Sequence, residues 1–570
     1  MSKRLLSTYL NGTDNAGSLD LSGSLDVSGR VIVSTRSVGR PFRASDIRTI
    51  YRYPPVPTSN VVVGVISLGG TLTGNIDING MLTNGDVQAY WRSLGMTSLP
   101  AVKVVRINGS VLDPSDSIST IENTIDVQMV GACCPTSRLT IILYYYNQYT
   151  TNNDAFYGTF SYAINTPVSI PGLGMVKPSI ISCSWGASEN LFTAIDLNKY
   201  NTLFAVAASS GITITTAAGD HGSSNGTTGT VTDFPTSSPN VVSCGGTNLV
   251  CPNQDASGNY IYTGATETTW SWSNVVRDGT GGGVSSFFNG PPFPRDSSQK
   301  RQVPDLSLVA DPETGVQFLI NGISQIIGGT SIVSPAIAGL AACLPRAPKG
   351  LLSKLYALPS SAFYDITVGN NGAYNAGPGF DNCTGLGSVN GANFVPAYTA
   401  LITSPVTSAR ITGTVTAIVG ATSQLTSSPS WWFSSNPAVA TVTNGLVRGI
   451  AAGSTNISVT TKDGFFTTST PFAVTTVIPP SLRISTTPGG PAITNIILRR
   501  NASITLHTVP TNILGPVTWT TSNVNLAIVD PNGHIALDKS AIVRIRNRIG
   551  SVLITAICGA LSASVVISVR

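Results

Sequence analysis

The glycine-rich stretch GGTSIVSPA, residues 328–336, contains a serine with the surroundings of a nucleophile. Ser331 follows two glycines and a threonine, and it precedes an apolar, alanine-rich run that is typical of a buried helix. A serine at the start of a helix is either an N-cap or, where glycines let a substrate approach, a nucleophile. A nucleophilic serine needs a base. The chain has three histidines, none of them in a Ser-His-Asp pattern: His221, His507 and His534.

A predicted helix over residues 115–130 offers carboxylates as an alternative base. Apolar side chains recur in it at steps of three and four residues, which predicts one buried face. This stripe consists of Ile118, Ile121, Ile125 and Met129. The pattern further predicts Asp113 as the N-cap, Pro114 as the first helical residue and Gly131 as the C-terminal stop.

Three carboxylates are candidates for the chemistry. Glu122 and Asp126 are four residues apart, so a helix stacks them on one face, although the same spacing is common on an ordinary polar face. Asp220 directly follows an apolar strand in TTAAGDHGSSNG, residues 215–226. Ligands bind at the carboxyl ends of parallel strands, which makes Asp220 a site candidate. The alternative is a turn aspartate that caps its own backbone.

The elements that position these residues follow an alternating pattern. Short apolar runs end in glycine or small polar residues, and helical stretches such as residues 190–209 lie between them. The runs are residues 61–70, 140–146, 178–186, 212–220 and 240–246. Near-continuous apolar strands that alternate with helices predict an α/β fold with a mostly parallel sheet covered on both faces. This unit extends from residue 51 to about residue 403.

The two ends of the chain differ from this unit in their sequence pattern. The near-repeat LDLSGSLDVSG within residues 1–50 predicts an extended or β arm, which is either an assembly segment or an untethered tail. Residues 408–477 and 480–570 show short alternating strands with frequent turn signals, which predict two all-β sandwiches. Both resemble bacterial immunoglobulin-like domains of the invasin and intimin type.

Composition excludes several classes of protein. Charged residues make up 10% of the 570 residues and hydrophobic residues 42%, so the chain is not of the disordered class. A net charge of +5 without a basic run argues against nucleic-acid binding. No apolar stretch is long enough to predict a membrane span, and the N-terminus has no signal-peptide core.

The eight cysteines do not form a recognisable framework. No CxxC pair occurs, which argues against a zinc site. Cys183 and Cys343 lie in apolar runs and are predicted to be buried thiols. Cys244 and Cys251 are candidates for a disulfide, but their spacing does not decide it, and the redox compartment stays open.

The order of the motifs resembles that of the sedolisins, the serine-carboxyl peptidases. The Glu-xxx-Asp helix, AAGDHG and GGTSIVSP are joined by SCSWG (182–186), FPTSSPNVVSCGGT (234–247), GGGVSSFF (281–288) and RQVPDLSLVADPETG (301–315). Two further segments, YDITVGNNG (364–372) and AGPGFDNCTGLGSVNG (376–391), complete a resemblance that covers residues 51–403. It implies a subtilisin-like, doubly wound fold and endopeptidase activity on proteins or peptides.

The resemblance also implies roles for the candidate residues. Ser331 is the nucleophile, Glu122 the base that takes its proton, and Asp126 a carboxyl that hydrogen-bonds to Glu122 and tunes it. Asp220 stabilises the oxyanion and must be protonated to do so, which implies an acidic pH optimum. His221 departs from the small residue usual at its position, and a cationic imidazole there favours ionised Asp220.

A calcium site is implied by the same resemblance. Asp365 and Asp381 supply carboxylate oxygens, and the carbonyls of Ile366, Gly377 and Gly379 complete much of the shell with water. Oxygen ligands from a glycine-rich loop suit Ca²⁺. The alternative is a simple Asp-Gly turn.

Two rival functions stay open at this point. About fifty residues precede the peptidase-like unit, fewer than the family's prodomain needs, so a structural or adhesive surface or particle protein is the main rival. Its assembly contacts are residues 1–50 and the C-terminal sandwiches, and an extracellular, surface or particle location is favoured. A carbohydrate-binding protein is a weaker rival, because only Trp431 and Trp432 support it.

Overall fold

The fold is taken from a computed structural model of the chain. It describes residues 24–25, 31–32, 40–146, 155–271, 278–290, 300–345, 350–403, 410–427, 430–461, 467–476, 481–511, 516–530 and 540–570. These residues form two compact units. The first lies within residues 1–412, 426–433 and 457–470, and the second within residues 413–425, 434–456 and 471–570.

An eight-stranded sheet forms the centre of the first unit. Its spatial order is Thr266–Thr269, Val242–Val250, Thr213–Ala217, Ile180–Cys183, Val61–Ser67, Leu139–Tyr145 and Ala101–Arg106, and Leu306–Val309 also pairs with Val242–Val250. Every pair is parallel except that of Thr266–Thr269 with Val242–Val250. The predicted α/β class with a mostly parallel sheet is therefore confirmed.

Both faces of this sheet are covered, as the near-continuous apolar runs predict. Along the strand Val61–Ser67, Val63 and Val65 belong to one buried cluster, whereas Val62 and Ile66 belong to another. Successive side chains of a strand point to opposite faces, so the two clusters are the two faces of the sheet. An apolar run without alternation is the sequence signature of this arrangement.

Helices pack against each face. The helices of the described residues are Ala44–Ile50, Asp86–Ser93, Ser117–Cys133, Ala155–Asn165, Ala194–Ser209, Val333–Cys343, Leu352–Leu355 and Gly391–Thr403. We call Ser117–Cys133 the carboxylate helix and Val333–Cys343 the serine helix. Both contribute to the same apolar cluster, through residues such as Ile125 and Ile337. Ala155–Asn165 and Ala194–Ser209 pack in the cluster on the opposite face.

The ends of the carboxylate helix differ from the prediction. Asp116, not Asp113, is the N-cap, and its carboxylate accepts a hydrogen bond from the Ser119 N–H at 3.2 Å. Gly131 is not the stop but an interior residue of the helix. A Cβ on Gly131 would lie 2.1 Å from the Trp91 ring, so this glycine makes room for an indole. Close packing, rather than helix termination, explains the glycine.

The predicted N-terminal arm lies mostly outside the described residues. Ser24–Leu25 and Val31–Ile32 pair as antiparallel strands. Residues 40–50 do not form part of an arm, because Phe42 and the helix Ala44–Ile50 contribute to the main apolar core. Arg40 donates to the buried Asp46 carboxylate at 2.6 and 2.8 Å, which fixes the start of this helix.

Shorter strands surround the central sheet of the first unit. They are Phe42–Arg43, Gly74–Ile76, Leu82–Gly85, Val168–Ile170, Gly174–Val176, Ala187–Ser188, Asp233–Phe234, Gly283–Asn289, Lys300–Val303, Val316–Ile320, Ile323–Ile327, Phe363–Tyr364 and Ser388–Val389. In the part of the chain that is described, no helix is long and apolar enough to cross a membrane. All eight cysteines are buried free thiols, so Cys244 and Cys251 do not form a disulfide.

The C-terminal part is all-β. Residues 410–476 contain Thr412–Gly413, Thr416–Ile418, Thr422–Thr426, Ser430–Ser434, Ala440–Thr443, Leu446–Gly449, Gly453–Thr461 and Thr467–Thr475. Residues 481–570 form two four-stranded sheets. One contains Ser481–Ser485, Ser503–Thr511, Ser540–Ile545 and Ala527–Asp530, and the other Asn495–Leu498, Leu561–Val569, Gly550–Cys558 and Thr518–Thr521. Leu506 of the first sheet and Ile554 of the second lie in one shared core, as in a sandwich.

Candidate active site

The candidate site lies at the carboxyl ends of two neighbouring strands of the central sheet. Ser184 comes directly after Ile180–Cys183, and Asp220 comes shortly after Thr213–Ala217. These two strands pair in parallel, so their carboxyl ends meet at one edge of the sheet. Ligands of doubly wound folds bind at such an edge.

Local backbone geometry presents Ser331 at this edge. Gly329 has φ 104°, a conformation that side chains disfavour, and its N–H donates to the Ala310 carbonyl at 2.6 Å. A 3₁₀ turn, Thr330–Ile332, then leads into the serine helix. One turn later, the buried Ser334 hydroxyl lies 3.0 Å from that of Ser182 and 3.1 Å from that of Thr215. These contacts hold the first turn of the helix on two strands of the sheet.

The two carboxylates of the carboxylate helix face the serine through Ser184. The hydroxyls of Ser331 and Ser184 both lie close enough to the Glu122 carboxyl to lower its pKa. The Ser184 hydroxyl also lies 2.7 Å from Oδ1 of Asp126 and 3.2 Å from the carbonyl oxygen of Ser331. Glu122, Asp126 and Ser331 are therefore brought into one cluster, with Ser184 between them.

Each of the two carboxyls keeps one buried oxygen without a hydrogen-bond partner. These are Oε1 of Glu122 and Oδ2 of Asp126, a statement that holds for the described residues. The direct hydrogen bond expected between Glu122 and Asp126 is not among their contacts, and both are joined to Ser184 instead. A buried carboxylate with an unsatisfied oxygen is costly when ionised, which favours its protonated form.

Asp220 is anchored to the residue that precedes the nucleophile candidate. Its Oδ1 accepts hydrogen bonds from the N–H and the hydroxyl of Thr330, both at 2.7 Å. The Thr330 hydroxyl in turn accepts from the Gly219 N–H at 3.0 Å. The carboxyl of Asp220 is thus fixed to the residue that precedes Ser331. It is also near enough to Glu122 for its charge to raise the pKa of that carboxyl.

Burial is the dominant electrostatic effect in this cluster. It is the main cause that raises the pKa of Glu122 to about 8, against hydrogen bonds from Ser331 and Ser184 that lower it. Burial and the nearby Glu122 charge raise the pKa of Asp126 well above its usual value. The pKa of Asp220 is also raised by burial, although the hydrogen bonds from Thr330 and the charge of His221 oppose the rise.

His221 lies beside this cluster with an acidic partner. Its Nδ1 is 3.6 Å from Oδ1 of Asp278. Burial lowers the pKa of His221, but Asp278, Asp220 and Asp233 together raise it above its usual value. The backbones of the neighbouring residues are also joined, because the Gly279 N–H donates to the Asp220 carbonyl at 2.8 Å. When it is protonated, His221 therefore places a positive charge next to the candidate oxyanion carboxyl.

The predicted calcium ligands surround one glycine-rich loop. Oδ2 of Asp365 accepts from the Gly379 N–H at 2.9 Å, and Oδ2 of Asp381 accepts from the Gly377 N–H at 3.0 Å. Among the described residues, none donates a hydrogen bond to the carbonyls of Ile366, Gly377 or Gly379. The two carboxylates and three carbonyl oxygens around this loop are oxygen ligands of the kind that suits Ca²⁺.

The sequence did not point to two residues that the geometry makes prominent. Ser184 lies within the SCSWG motif, but nothing in its position along the chain indicates that it contacts both carboxyls. Thr330 was noted only as a neighbour of Ser331, whereas it donates both hydrogen bonds that anchor Asp220. The signal that could have identified both residues is a small hydroxyl side chain in a motif next to a predicted carboxylate.

Two family models match the chain. The Subtilase family model matches residues 134–354, and the model of the Bacterial Ig-like domain (group 2) matches residues 405–471. The first range contains Asp220 and Ser331 but begins after Glu122 and Asp126. The second match overlaps the first of the two predicted sandwiches.

Individual proteins and structures extend this likeness. Kumamolisin of Bacillus sp. (strain MN-32) is 36% identical over 348 residues, which cover 56% of this chain and 59% of kumamolisin. Sedolisin of Pseudomonas sp. (strain 101) is 29% identical over 377 residues, which cover 60% of this chain and 59% of that protein. Among solved structures, Pseudomonas sedolisin, a serine-carboxyl proteinase complexed with two molecules of pseudo-iodotyrostatin, has a TM-score of 0.52 at 26% identity. That likeness covers 64% of this chain and 99% of the other.

Proposed function

Because the chain resembles the sedolisins in sequence and in fold, we propose that it is a serine-carboxyl endopeptidase acting on protein or peptide substrates. The observation that carries the proposal is the cluster in which the Ser184 hydroxyl contacts both Asp126 and Ser331, with the Ser331 hydroxyl beside the buried Glu122 carboxyl. A hydroxyl bonded to a carboxylate is an activated nucleophile, which is the requirement that a histidine meets in other serine peptidases.

In the proposed reaction, the Ser331 oxygen attacks the carbonyl carbon of the scissile peptide bond, and its proton passes to Glu122. The proton then passes from Glu122 to the leaving nitrogen as the carbon–nitrogen bond breaks, which leaves an acyl group on Ser331. Water enters by the same route, with Glu122 again taking and returning a proton. Ser184 and Asp126 hold the Glu122 carboxyl in place through this cycle.

Asp220 is proposed to stabilise the negative oxygen of the tetrahedral intermediate. Its Oδ1 already accepts two hydrogen bonds from Thr330, so a proton on this carboxyl belongs on Oδ2. A protonated carboxyl can donate a hydrogen bond to the developing oxyanion, whereas an ionised one repels it. The arrangement fixes the donor before the substrate arrives.

The proposed active form has one negative charge on the cluster of Glu122, Asp126 and Asp220. Glu122 must be ionised to accept a proton, and Asp220 must be protonated to donate one. Burial is the main cause that raises the pKa of Glu122, and the charge of Asp220 raises it further, so Glu122 ionises more easily while Asp220 keeps its proton. Activity should therefore be highest on the acidic side and fall as a second carboxyl ionises.

The loop around Asp365 and Asp381 is proposed to bind Ca²⁺ as a structural ion, which would hold the two carboxylates together. We expect that a chelator lowers the melting temperature of the protein and that excess calcium restores it. Asp381→Asn should melt at a lower temperature in calcium and respond less to the chelator. An unchanged melting temperature after exhaustive chelation would count against the site.

The test of the proposed activity is peptide hydrolysis from about pH 2.5 to pH 8, a range that brackets carboxyl titration, with calcium present. Wild type is compared with Ser331→Ala. We expect an acidic maximum in the wild type and a loss of at least about 1,000-fold in the variant, whose melting temperature should be unchanged. No cleavage by folded wild type at any pH would instead favour the structural or adhesive surface protein.

That alternative, and the proposed surface or particle location, depend on residues 1–50 and the C-terminal sandwiches as assembly segments. A direct check is whether the full chain binds to itself or to a surface when Ser331 is replaced. The carbohydrate-binding alternative depends on Trp431 and Trp432. The side chain of Trp431 lies outside the described residues, and that of Trp432 is half-buried.

A further inference from the structure

Two cysteines lie at corresponding ends of the two helices that bear the candidate site residues. Cys134 is the C-cap of the carboxylate helix, and Cys343 is the last residue of the serine helix. The helices pack closely here, because a Cβ on Gly339 would lie 2.4 Å from the Cβ of Cys133. Such close contact brings the two C-terminal ends within reach of one another.

The sulfur of Cys343 points toward the end of the carboxylate helix. It lies 3.7 Å from the carbonyl oxygen of Cys133, which belongs to the peptide bond between Cys133 and Cys134. The Cys134 and Cys343 thiols are close enough to affect each other's ionisation. Two neighbouring thiols on adjacent helix ends can bond covalently without a large backbone movement.

A half-buried arginine lies beside one of these thiols. Arg48 donates from Nη1 to the Sγ of Cys343 at 3.3 Å and to the Cys133 carbonyl, and from Nη2 to the Pro54 carbonyl at 2.7 Å. A guanidinium fixed beside a sulfur stabilises the thiolate, which is the nucleophilic form. Cys343 is 7% exposed and Cys134 is fully buried, so Cys343 is the thiol that a small reagent meets first.

We propose that Cys134 and Cys343 are a redox-active pair that closes into a disulfide between the carboxylate helix and the serine helix. The oxidant is a small organic disulfide. The Cys343 thiolate attacks one of its sulfurs, which forms a mixed disulfide and releases one small thiolate. The Cys134 thiol then loses its proton and attacks the Cys343 sulfur, which releases the second small thiolate. Two protein thiols are oxidised, and one small disulfide is reduced to two thiols.

The proposed disulfide would link the two helices at a distance from the candidate site residues. Cys134 lies eight residues beyond Asp126, about 12 Å along a helix, so the link leaves the candidate site residues in place. It joins two segments far apart in the chain, which restricts the unfolded state strongly. The oxidised form should therefore melt at a temperature higher by about 5 °C or more.

The test treats the folded full-length chain with hydroxyethyl disulfide at about pH 8, followed by alkylation under denaturing conditions and non-reducing peptide mapping. We expect a Cys134–Cys343 linked peptide, the loss of two of the eight thiols, and the higher melting temperature. Only a mixed disulfide on Cys343, a link to another cysteine, or unreacted thiols would overturn the proposal. These readouts do not involve peptide hydrolysis, so they are independent of the proposed function.

Matched variants sharpen the result. Cys343→Ser and Cys134→Ser should each abolish the link and the rise in melting temperature. Cys251→Ser, which removes a buried thiol elsewhere in the same core, should retain both. If a variant does not fold, the wild-type peptide map still decides, because it identifies the two linked residues directly.

Discussion

Two buried glutamates of the first unit differ in how many hydrogen bonds their carboxyl groups accept. Oε1 of Glu189 accepts from the N–H and hydroxyl of Ser286 and from the Phe287 N–H, at 2.8–3.1 Å. Its Oε2 accepts from the Ser285 hydroxyl at 2.7 Å and the Thr232 hydroxyl at 3.5 Å. Glu122, in contrast, contacts two serine hydroxyls and keeps Oε1 buried without a partner among the described residues.

The difference is the one expected between a structural carboxylate and the proposed reactive one. Donors on both oxygens of Glu189 stabilise its charge and fix the strand Gly283–Asn289, so this residue supports the fold. The incomplete set of donors around Glu122 leaves its charge poorly stabilised and its basicity high. A base that takes a proton from a hydroxyl needs that basicity, so the incomplete hydrogen bonding is what suits Glu122 to its proposed role.

The largest effect is expected from Glu122→Gln. This variant removes the proposed base, and we expect kcat/KM to fall by about 1,000-fold, within the usual range for a lost general base. Stability should not fall. Burial raises the pKa of Glu122 in the folded chain above the value of about 4 in the unfolded chain, so this group reduces stability as pH rises above about 4.

Thermal melting from pH 4 to pH 8 checks the second half of this prediction. The melting temperature of Glu122→Gln should equal that of the wild type near pH 4 and exceed it increasingly toward pH 8. Greater destabilisation of the variant at high pH would mean that the Glu122 charge is well stabilised, and the contrast with Glu189 would fail.

Glu189→Gln should show the opposite pattern. The amide nitrogen of glutamine would face backbone N–H groups or hydroxyls that now donate to a carboxylate, so buried donors lose their acceptor. We expect a loss of about 2–4 kcal/mol in the free energy of unfolding. Denaturant unfolding of both variants measures this directly. A stable Glu189→Gln protein would contradict the structural role.

Ser184→Ala should have an intermediate effect on activity and a definite effect on pH dependence. The Ser184 hydroxyl lowers the pKa of both Glu122 and Asp126, so its removal raises both. The acidic limb of the rate profile should move to higher pH, with a loss of about 10-fold in kcat/KM at the wild-type optimum. Ser182→Ala, a buried serine that contacts Ser334 instead, is the matched control and should keep the wild-type profile.

The smallest effects are expected next to Asp220, and they should have opposite signs. The His221 charge lowers the pKa of Asp220, whereas the Asp278 charge raises it. His221→Ser should therefore extend activity to higher pH, and Asp278→Asn should restrict it to lower pH. The alkaline limb of kcat/KM measures both shifts. Shifts in the same direction would exclude Asp220 as the group that sets this limb.

The sequence was informative where a motif and its spacing sufficed. Glu122, Asp126, Asp220 and Ser331 were identified from their motifs, and the structure brings them together at one sheet edge. Helix ends were less predictable, because Asp113 and Asp116 are both suitable N-caps, and only the contact with Ser119 distinguishes them. Gly131 was misread because its reason, the Trp91 ring, is forty residues away in the chain.

Contacts between distant segments account for the rest. Ser184, Thr330 and Asp278 contact site residues that lie 58 to 147 residues away in the chain or across a loop. A periodic sequence pattern does not predict such contacts. The same holds for Cys134 and Cys343, whose relation depends on how two helices pack. Motif order predicts the candidate residues, whereas their supporting contacts require the three-dimensional arrangement.

The most direct test of the central claim, that Glu122 takes the proton of Ser331, is a double-mutant cycle measured as kcat/KM at the acidic optimum. Residues that act as one unit have non-additive losses. We predict that Glu122→Gln combined with Ser331→Ala is no slower, within about threefold, than Ser331→Ala alone. Losses that multiply in the double variant would contradict the account, because they would mean that the two residues act independently.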